Sequence, residues 1–364
     1  MAAPTKLRPR LELIEIGGDG RRLRLLDVVG HGASSTVHRA LLENRNGLRR
    51  IVAVKLFGSV SSDDAERADA LAAQTATRAA SIRHPNVVAL YELGQWRSQP
   101  YFVNELVDGV NLQTLLDRYA EKTLRLPLDL ALFIASEIGE ALSGARTTRD
   151  HRGVQLGILH LALGPRKVLL GWRGEVKVSD FETSMAAISS SGIRNLKVVA
   201  HRTATMAPEV ACGQAGDSRS DVFSFGVILR ELFVGPRFGR IVKNSEAIAF
   251  AREGFVQPMS FQPHLPEALM LVMLRALRID PAERYPNASA MAFELRRIAL
   301  SMGVGDGRLF LRRALDREFG NDASEVTAEH AYSTAPPRAP SVVLANDLIE
   351  LAALDALPTI ADND

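Results

Sequence analysis

The sequence predicts an α+β fold, with strands concentrated in the first part of the chain and helices in the rest. Apolar and polar residues alternate over 11–16 and 22–29, and the glycine-rich residues 17–20 between these runs predict a hairpin. The stretch 129–146 is amphipathic and free of proline, which predicts a long helix. We therefore expect a small strand-rich lobe and a larger helical lobe.

The bulk composition is that of a soluble globular protein. The 364 residues are 46% hydrophobic and 24% charged with a formal net charge of +2, so the charge favours neither nucleic acid nor an acidic membrane. The most apolar stretch, 128–142, contains Asp129, Glu137 and Glu140, which argues against a membrane span. Because the first residues lack a signal-peptide core, we expect a cytoplasmic protein. Its single cysteine, Cys212, is predicted to be a small buried residue.

A glycine-containing loop and a lysine mark the strand-rich part. Gly30 and Gly32 lie between two predicted strands, where glycine lets backbone amides approach phosphate groups closely. Ser35 occupies the next position of the pattern, and Lys55 ends the apolar run 51–54. Taken singly, the loop can be an ordinary hairpin turn and the lysine can extend to solvent from a strand edge. Their order along the chain favours a phosphate site.

Short motifs follow one another along the chain, before and after an alanine-rich predicted helix at 65–82, and they include the segment 160–170, HLALGPRKVLL. The motif residues are Gly30, Gly32, Lys55, His84, Pro85, Asn86, Glu105, His160, Pro165, Leu169, Leu170, Asp180, Phe181, Ala207, Pro208, Glu209, Asp221, Phe225, Gly226, Asp280 and Arg284. One such motif is weak evidence, but the ordered set is specific. The series resembles that of the bacterial, eukaryotic-like serine/threonine protein kinases over about residues 23–300.

The resemblance implies a bilobal protein-kinase-like fold, with the small lobe at about 23–107 and the large lobe at about 108–300. It gives structural roles to His160 and Phe181 in a hydrophobic spine, and to Glu209 and Arg284 as a buried ion pair. Asp221 is expected to cap the backbone of the loop that begins at His160. These residues hold a fold together whatever its chemistry.

The resemblance also implies that the cleft binds ATP and Mg²⁺. Lys55 would contact phosphate, Asp180 would bind the metal ion, and the backbone from Glu105 to Val107 would face the adenine. The alternative is that the apolar residues simply pack the lobes together. The residues implied to surround the nucleotide are Gly30, Gly32, Val37, Ala53, Lys55, Glu105, Val107, Leu169 and Asp180.

Two residues differ from the family pattern at positions that take part in the family's reaction. Ala162 replaces the aspartate that accepts the substrate proton, and Lys167 replaces the asparagine that binds the second metal ion. A methyl group cannot accept a proton, and an ammonium group cannot ligate Mg²⁺. Lys167 can also be interpreted as a fixed positive charge in place of that metal ion, and Glu182 as a carboxylate that supports the first metal ion. Nucleotide binding would then depend less on metal.

Four further positions differ from the family pattern. Leu161 lies where an arginine contacts a phosphorylated activation segment, and Gly164 replaces a lysine of the same loop. Thr75 lies where a glutamate pairs with the strand lysine, and Glu182 replaces the glycine of the metal-binding turn. Since a positioned acid or base is worth about 10²–10⁴ in rate, the changes together predict little phosphoryl transfer.

The sequence therefore predicts a degenerate protein kinase, a pseudokinase, that acts by binding. Its partner would be an active kinase or another signalling protein, which the chain would scaffold or regulate allosterically with residual ATP binding. Two alternatives stay open: an atypical active serine/threonine kinase that uses Lys55 and Asp180, and a nucleotide sensor.

The two ends of the chain extend beyond the kinase-like region. Residues 1–22 are expected to form an N-terminal extension with the first strand, and 301–320 an accessory helix whose arginines face solvent. Residues 321–343 have the composition of a flexible linker. The acidic amphipathic tail 344–364 either docks in a basic groove of a partner or folds back on its own domain.

Overall fold

The computed structural model describes residues 13–16, 21–32, 35–57, 76–97, 99–181, 203–238, 244–258 and 265–320. Within them, the small lobe is an antiparallel sheet with the strand order β1-β2-β3-β4-β6-β5. Its strands are β1 (Leu13–Ile16), β2 (Arg21–His31), β3 (Ser35–Glu43), β4 (Arg49–Phe57), β5 (Leu90–Trp96) and β6 (Gln99–Glu105).

The side chains of β4 alternate between the two faces of this sheet. Val52 and Val54 belong to the core of the small lobe, whereas Ala53 belongs to a separate cluster with Val37 of β3. Because side chains alternate along a strand, Lys55 lies on the face of Ala53. The register of β3 and β4 places Lys55 opposite Val37.

The large lobe combines helices with a small sheet of order β7-β8-β9. The strands of this sheet are β7 (Gly109–Asn111), β8 (Val168–Gly171) and β9 (Val176–Val178). Short 3-10 helices span Pro165–Lys167 and Pro281–Glu283. The α-helices are α1 (Leu112–Glu121), α2 (Leu128–Thr147), α3 (Pro208–Ala211), α4 (Ser218–Phe233), α5 (Asn244–Arg252), α6 (Glu267–Ala276), α7 (Ala288–Ser301) and α8 (Gly307–Phe319).

Polar residues fix where several helices begin. The side chain of Asn111 accepts a hydrogen bond from the Thr114 amide at 3.0 Å at the start of α1. Asp217 and Ser220 form a reciprocal capping box at the start of α4. Such caps satisfy amide groups that the first helical turn leaves without a partner.

The helix α2 supplies the centre of the large lobe. Leu130, Ile134 and Ile138 recur every fourth residue, are buried, and join the main core cluster. Leu311 and Leu315 of α8 belong to the same cluster, while the four arginines of α8 are exposed. The last described helix therefore packs on the large lobe through its apolar side.

The two-lobed α+β fold predicted from the sequence is confirmed, and the structure has helices over 128–147 and 307–319 where helices were predicted. The predicted burial of Cys212 is wrong, because its side chain is exposed at the end of α3. Of the helix predicted at 65–82, residues 76–79 are helical, but the prediction is wrong for 80–82, which form a turn and its exit. Residues 65–75, the turn 17–20, the linker 321–343 and the tail 344–364 lie outside the described residues. None of the helices described combines the length and apolarity needed to cross a membrane.

Gly139 lets α2 and α7 approach closely, since a Cβ atom added there would lie 2.5 Å from the Ala292 Cβ. We expect Gly139→Ala to lower the free energy of unfolding by about 1–3 kcal/mol through overpacking, although alanine favours helix. Chemical denaturation measures the loss. Gly305→Ala is the control, because its added Cβ would lie at an ordinary 3.6 Å from Phe310. Equal stability of the two variants would contradict the packing argument.

Candidate functional site

The loop that begins at His160 is held by a buried carboxylate. Asp221 of α4 accepts hydrogen bonds from the backbone amides of His160, at 2.8 Å, and Leu161, at 2.6 Å. Burial raises the pKa of Asp221 to about 6, although the two amides favour its charged form. Leu161 has a left-handed backbone with φ of 56°, so these bonds stabilise a conformation that leucine rarely adopts.

His160 packs inside the protein as a neutral ring. Its pKa is lowered to about 3 by burial and, less strongly, by the charge of Lys167. In the tautomer that fits its surroundings, the Nε2–H donates to the Ser179 carbonyl at 2.9 Å. The ring centroid lies 4.7 Å from that of Phe181. The two predicted spine residues are thus in contact.

Lys55 and Asp180 form an ion pair between the lobes. The Lys55 Nζ donates to the Asp180 Oδ1 at 2.8 Å, and both side chains are only 12% and 16% exposed. Burial favours the neutral form of Asp180, but Lys55 and Lys167 together hold the pKa of its carboxyl well below its usual range. Asp180 is therefore a carboxylate whose charge two lysines stabilise, on a backbone with φ of 71°.

The apolar residues predicted to sandwich an adenine lie in two separate clusters. Val37 and Ala53 belong to one of them, whereas Leu169 packs with Val88 and Val107 in the other. The predicted slab is therefore not a single packed cluster. The second cluster joins the two lobes, since Val88 and Val107 belong to the small lobe and Leu169 to the large lobe.

Glu105 makes a further contact between the lobes through its side chain. Its Oε2 accepts hydrogen bonds from the Ala89 amide at 3.2 Å and from the Lys177 Nζ at 3.1 Å. Its own amide donates to the Ala89 carbonyl at 2.8 Å. The carboxylate of Glu105 thus ties β6 to β9, and its amide is engaged within the protein rather than presented to a ligand.

The glycine loop has the bonding of a hairpin at its base. Gly30 lies in β2 and pairs with Val37 of β3. The amide of Gly32 donates to the Ser35 carbonyl at 2.6 Å. Residues 33–34, at the tip, lie outside the described part of the chain, as do Thr75 and Glu182.

Leu161 and Gly164 lie against the segment that leads into α3 and α4. The Leu161 side chain neighbours Gly216, whose added Cβ would be 2.9 Å from the Leu161 Cδ2. Beside Gly164, the Thr205 hydroxyl donates to the Leu163 carbonyl at 2.5 Å. Neither side chain carries a charge, so packing and the Thr205 hydroxyl add to the backbone bonds that Asp221 makes to this loop.

Glu209 and Arg284 form the predicted buried pair. Two hydrogen bonds of 2.8 Å join the guanidinium to the two carboxylate oxygens, and the Arg284 side chain is fully buried. Burial alone would raise the pKa of Glu209, but hydrogen bonds from Arg284 and Ser220 hold it below its usual value. The pair fastens α3 to the segment before α7.

Sequence reasoning missed a second buried arginine, Arg237. Its guanidinium donates to the Phe255 carbonyl at 2.7 Å, and to the carbonyls of Ala204 and Met206 at 3.2 and 2.9 Å. It also stacks 4.7 Å from the ring of Phe223. No pattern in the sequence marked this residue, since an arginine after glycine and proline is usually exposed.

A metal site is not evident from side chains alone. In the portion of the chain that the structure covers, no three His, Cys, Asp or Glu side chains are grouped as metal ligands. Asp180, the predicted ligand, has Lys55 within hydrogen-bonding distance.

The comparisons with known proteins agree with this architecture. The chain is 29% identical over 301 residues to the tyrosine-protein kinase MasK of Myxococcus xanthus, covering 82% of the chain and 46% of that relative. It is 32% identical over 290 residues to the serine/threonine-protein kinase PksC of Streptomyces coelicolor, covering 78% and 50%. For the serine/threonine-protein kinase PknB of Mycobacterium tuberculosis, the identity is 30% over 304 residues, covering 82% and 44%. The chain thus spans about half the length of these curated relatives.

A solved structure and a family model complete the comparison. The kinase domain of PknI from Mycobacterium tuberculosis superposes with a TM-score of 0.54 at 22% identity, covering 76% of this chain and 95% of that one, which supports the fold. The model of the protein tyrosine and serine/threonine kinase family matches residues 23–295. The chain therefore belongs to the protein kinase family.

Proposed function

We propose that the chain is a pseudokinase that works in the cytoplasm by binding a protein partner, either an active kinase or another signalling protein. The observation that carries this proposal is Ala162. The loop around it keeps its backbone bonds to Asp221, yet residue 162 offers a methyl group where the family has a proton-accepting carboxylate. The loss of a positioned base lowers a rate by about 10²–10⁴.

The same proposal includes a nucleotide site in the cleft. Lys55 is anchored by Asp180, and Val37 and Leu169 belong to separate apolar clusters, as a slot for an adenine between them requires. These residues fit ATP. The two-metal set of the family fits poorly, because Asp180 is a single carboxylate and Lys167 replaces the other ligand.

An active serine/threonine kinase is the second candidate function. The retained pair of Lys55 and Asp180 favours it, and so do the names of the bacterial relatives. A nucleotide sensor is the third candidate, for which ATP at a hundredfold excess over its Kd would stabilise the fold by about 2.7 kcal/mol.

Phosphoryl transfer and ATP binding are measured together on the purified chain. With radiolabelled ATP and generic protein substrates, we expect no transfer above that of Lys55→Ala, which controls for contaminating kinases. In a calorimetric titration we expect the wild type to bind ATP, and Lys55→Ala to weaken binding about 10–100-fold through the lost charged contact.

Each outcome separates the candidates. Reproducible transfer that disappears in Asp180→Ala would establish an active kinase and end the pseudokinase proposal. Undetectable ATP binding would remove the nucleotide site and leave partner binding as the function.

A further inference from the structure

We infer that the ammonium group of Lys167 takes the place of a metal ion in this cleft, so that ATP binds here without Mg²⁺. The inference rests on the nucleotide site of the proposed function. In this site, Lys55 and Lys167 balance the negative charge of the triphosphate.

The fold fixes Lys167 beside Asp180. Lys167 ends a 3-10 helix, and its amide donates to the Gly164 carbonyl at 2.9 Å. Its carbonyl accepts hydrogen bonds from the amide and hydroxyl of Ser179, at 2.9 and 3.3 Å. Since Ser179 directly precedes Asp180, these bonds hold the backbone of Lys167 close to that of Asp180. The Nζ atom of Lys167 is itself buried, so its charge acts inside the protein.

Among the described residues, lysines offset the carboxylates of the cleft floor. The Lys55 Nζ lies 2.8 Å from the Asp180 Oδ1, and Asp221 accepts hydrogen bonds from the amides of His160 and Leu161. The buried Nζ of Lys167 adds a second positive charge to this part of the cleft. The positive charges of the two lysines therefore reduce the attraction of these carboxylates for a divalent cation.

A metal ion is disfavoured here for two further reasons. An ammonium nitrogen has three donors and no lone pair, so Lys167 cannot replace the asparagine ligand of the family. A divalent cation at Asp180 would also be repelled by Lys55, 2.8 Å from that carboxylate, and by Lys167. The same two lysines attract phosphate oxygens.

The test compares ATP affinity in Mg²⁺ and in EDTA, by calorimetric titration of the full chain. For the wild type we expect the two affinities to agree within about threefold, which is about 0.7 kcal/mol. Lys167→Asn, which restores the family residue, is expected to lose at least about tenfold in EDTA and to recover with Mg²⁺. Lys167→Met removes the charge without adding a ligand, so it is expected to lose affinity in both conditions.

Lys122→Asn is the matched control, since Lys122 pairs with Glu318 of α8 at 2.5 Å, away from the residues assigned to the nucleotide, and its ATP affinity is expected to match the wild type. Thermal unfolding without nucleotide checks that each variant is folded. Wild-type binding that requires Mg²⁺ would overturn this inference and leave the nucleotide site intact. Unchanged binding in both Lys167 variants would also overturn it. No binding by the wild type in either condition would overturn the nucleotide site as well.

Discussion

Replacing Arg284 with alanine is expected to lower the free energy of unfolding by roughly 3–5 kcal/mol. The substitution leaves the buried carboxylate of Glu209 without its cation. It also removes donors from the carbonyls of Arg219, Arg278 and Ile279, which lie 3.0, 2.7 and 2.8 Å from the guanidinium. Urea denaturation followed by circular dichroism measures the loss.

Arg278→Ala is the control, because it removes the same kind of side chain from the surface. The Arg278 side chain is 61% exposed and lies 3.7 Å from Glu283, so its removal is expected to change stability by less than about 1 kcal/mol. Similar losses in both variants would contradict a special role for the buried pair.

The same pair predicts a dependence on pH. The pKa of Glu209 in the folded protein lies below its ordinary value of 4.5. Its contribution to stability is therefore complete above pH 4.5 and is lost as pH falls through the lower folded pKa. Glu209→Gln is expected to remove this part of the acid sensitivity. If the free energy of unfolding of that variant still fell with pH as steeply as that of the wild type, groups other than Glu209 would cause the loss.

Asp221→Ala is expected to lower the free energy of unfolding by about 2–6 kcal/mol. The substitution leaves two buried amides without an acceptor, and each unsatisfied amide costs about 1–3 kcal/mol. Those amides belong to His160 and Leu161. The left-handed backbone of Leu161 would lose the bonds that hold it. Thermal and urea unfolding measure the effect, and ATP titration reports whether the cleft is disturbed.

Asp217→Ala is the matched control in the same helix. Asp217 caps the start of α4, so its loss is expected to cost about 0.5–2 kcal/mol. A loss at Asp221 no larger than the loss at Asp217 would show that the loop does not depend on the buried carboxylate.

The fold could be predicted because local patterns and motif order pointed to the same architecture. The alternation over 22–29 predicted a strand, and β2 spans Arg21–His31 there, because the two-residue period of a strand is a local property. The length and apolar pattern of α2 likewise depend on neighbours in sequence. These features need no knowledge of distant contacts.

The features that escaped prediction depend on contacts between distant segments. Arg237 is buried because carbonyls of residues 204, 206 and 255 converge on it, and no local pattern encodes that meeting. Cys212 was expected inside and is exposed, since residue type sets only an average burial. The role of Glu105 as a tie between β6 and β9 likewise emerges only from the packed lobes.

The packing of Leu161 bears on whether phosphorylation can regulate this domain. By its resemblance to the family, residue 161 is expected to correspond to the arginine that contacts a phosphorylated activation segment, and the hydrocarbon side chain of Leu161 lies against Gly216. A hydrocarbon forms no charge-assisted bond to phosphate. We therefore expect phosphorylation of the activation segment to leave the conformation of this loop unchanged.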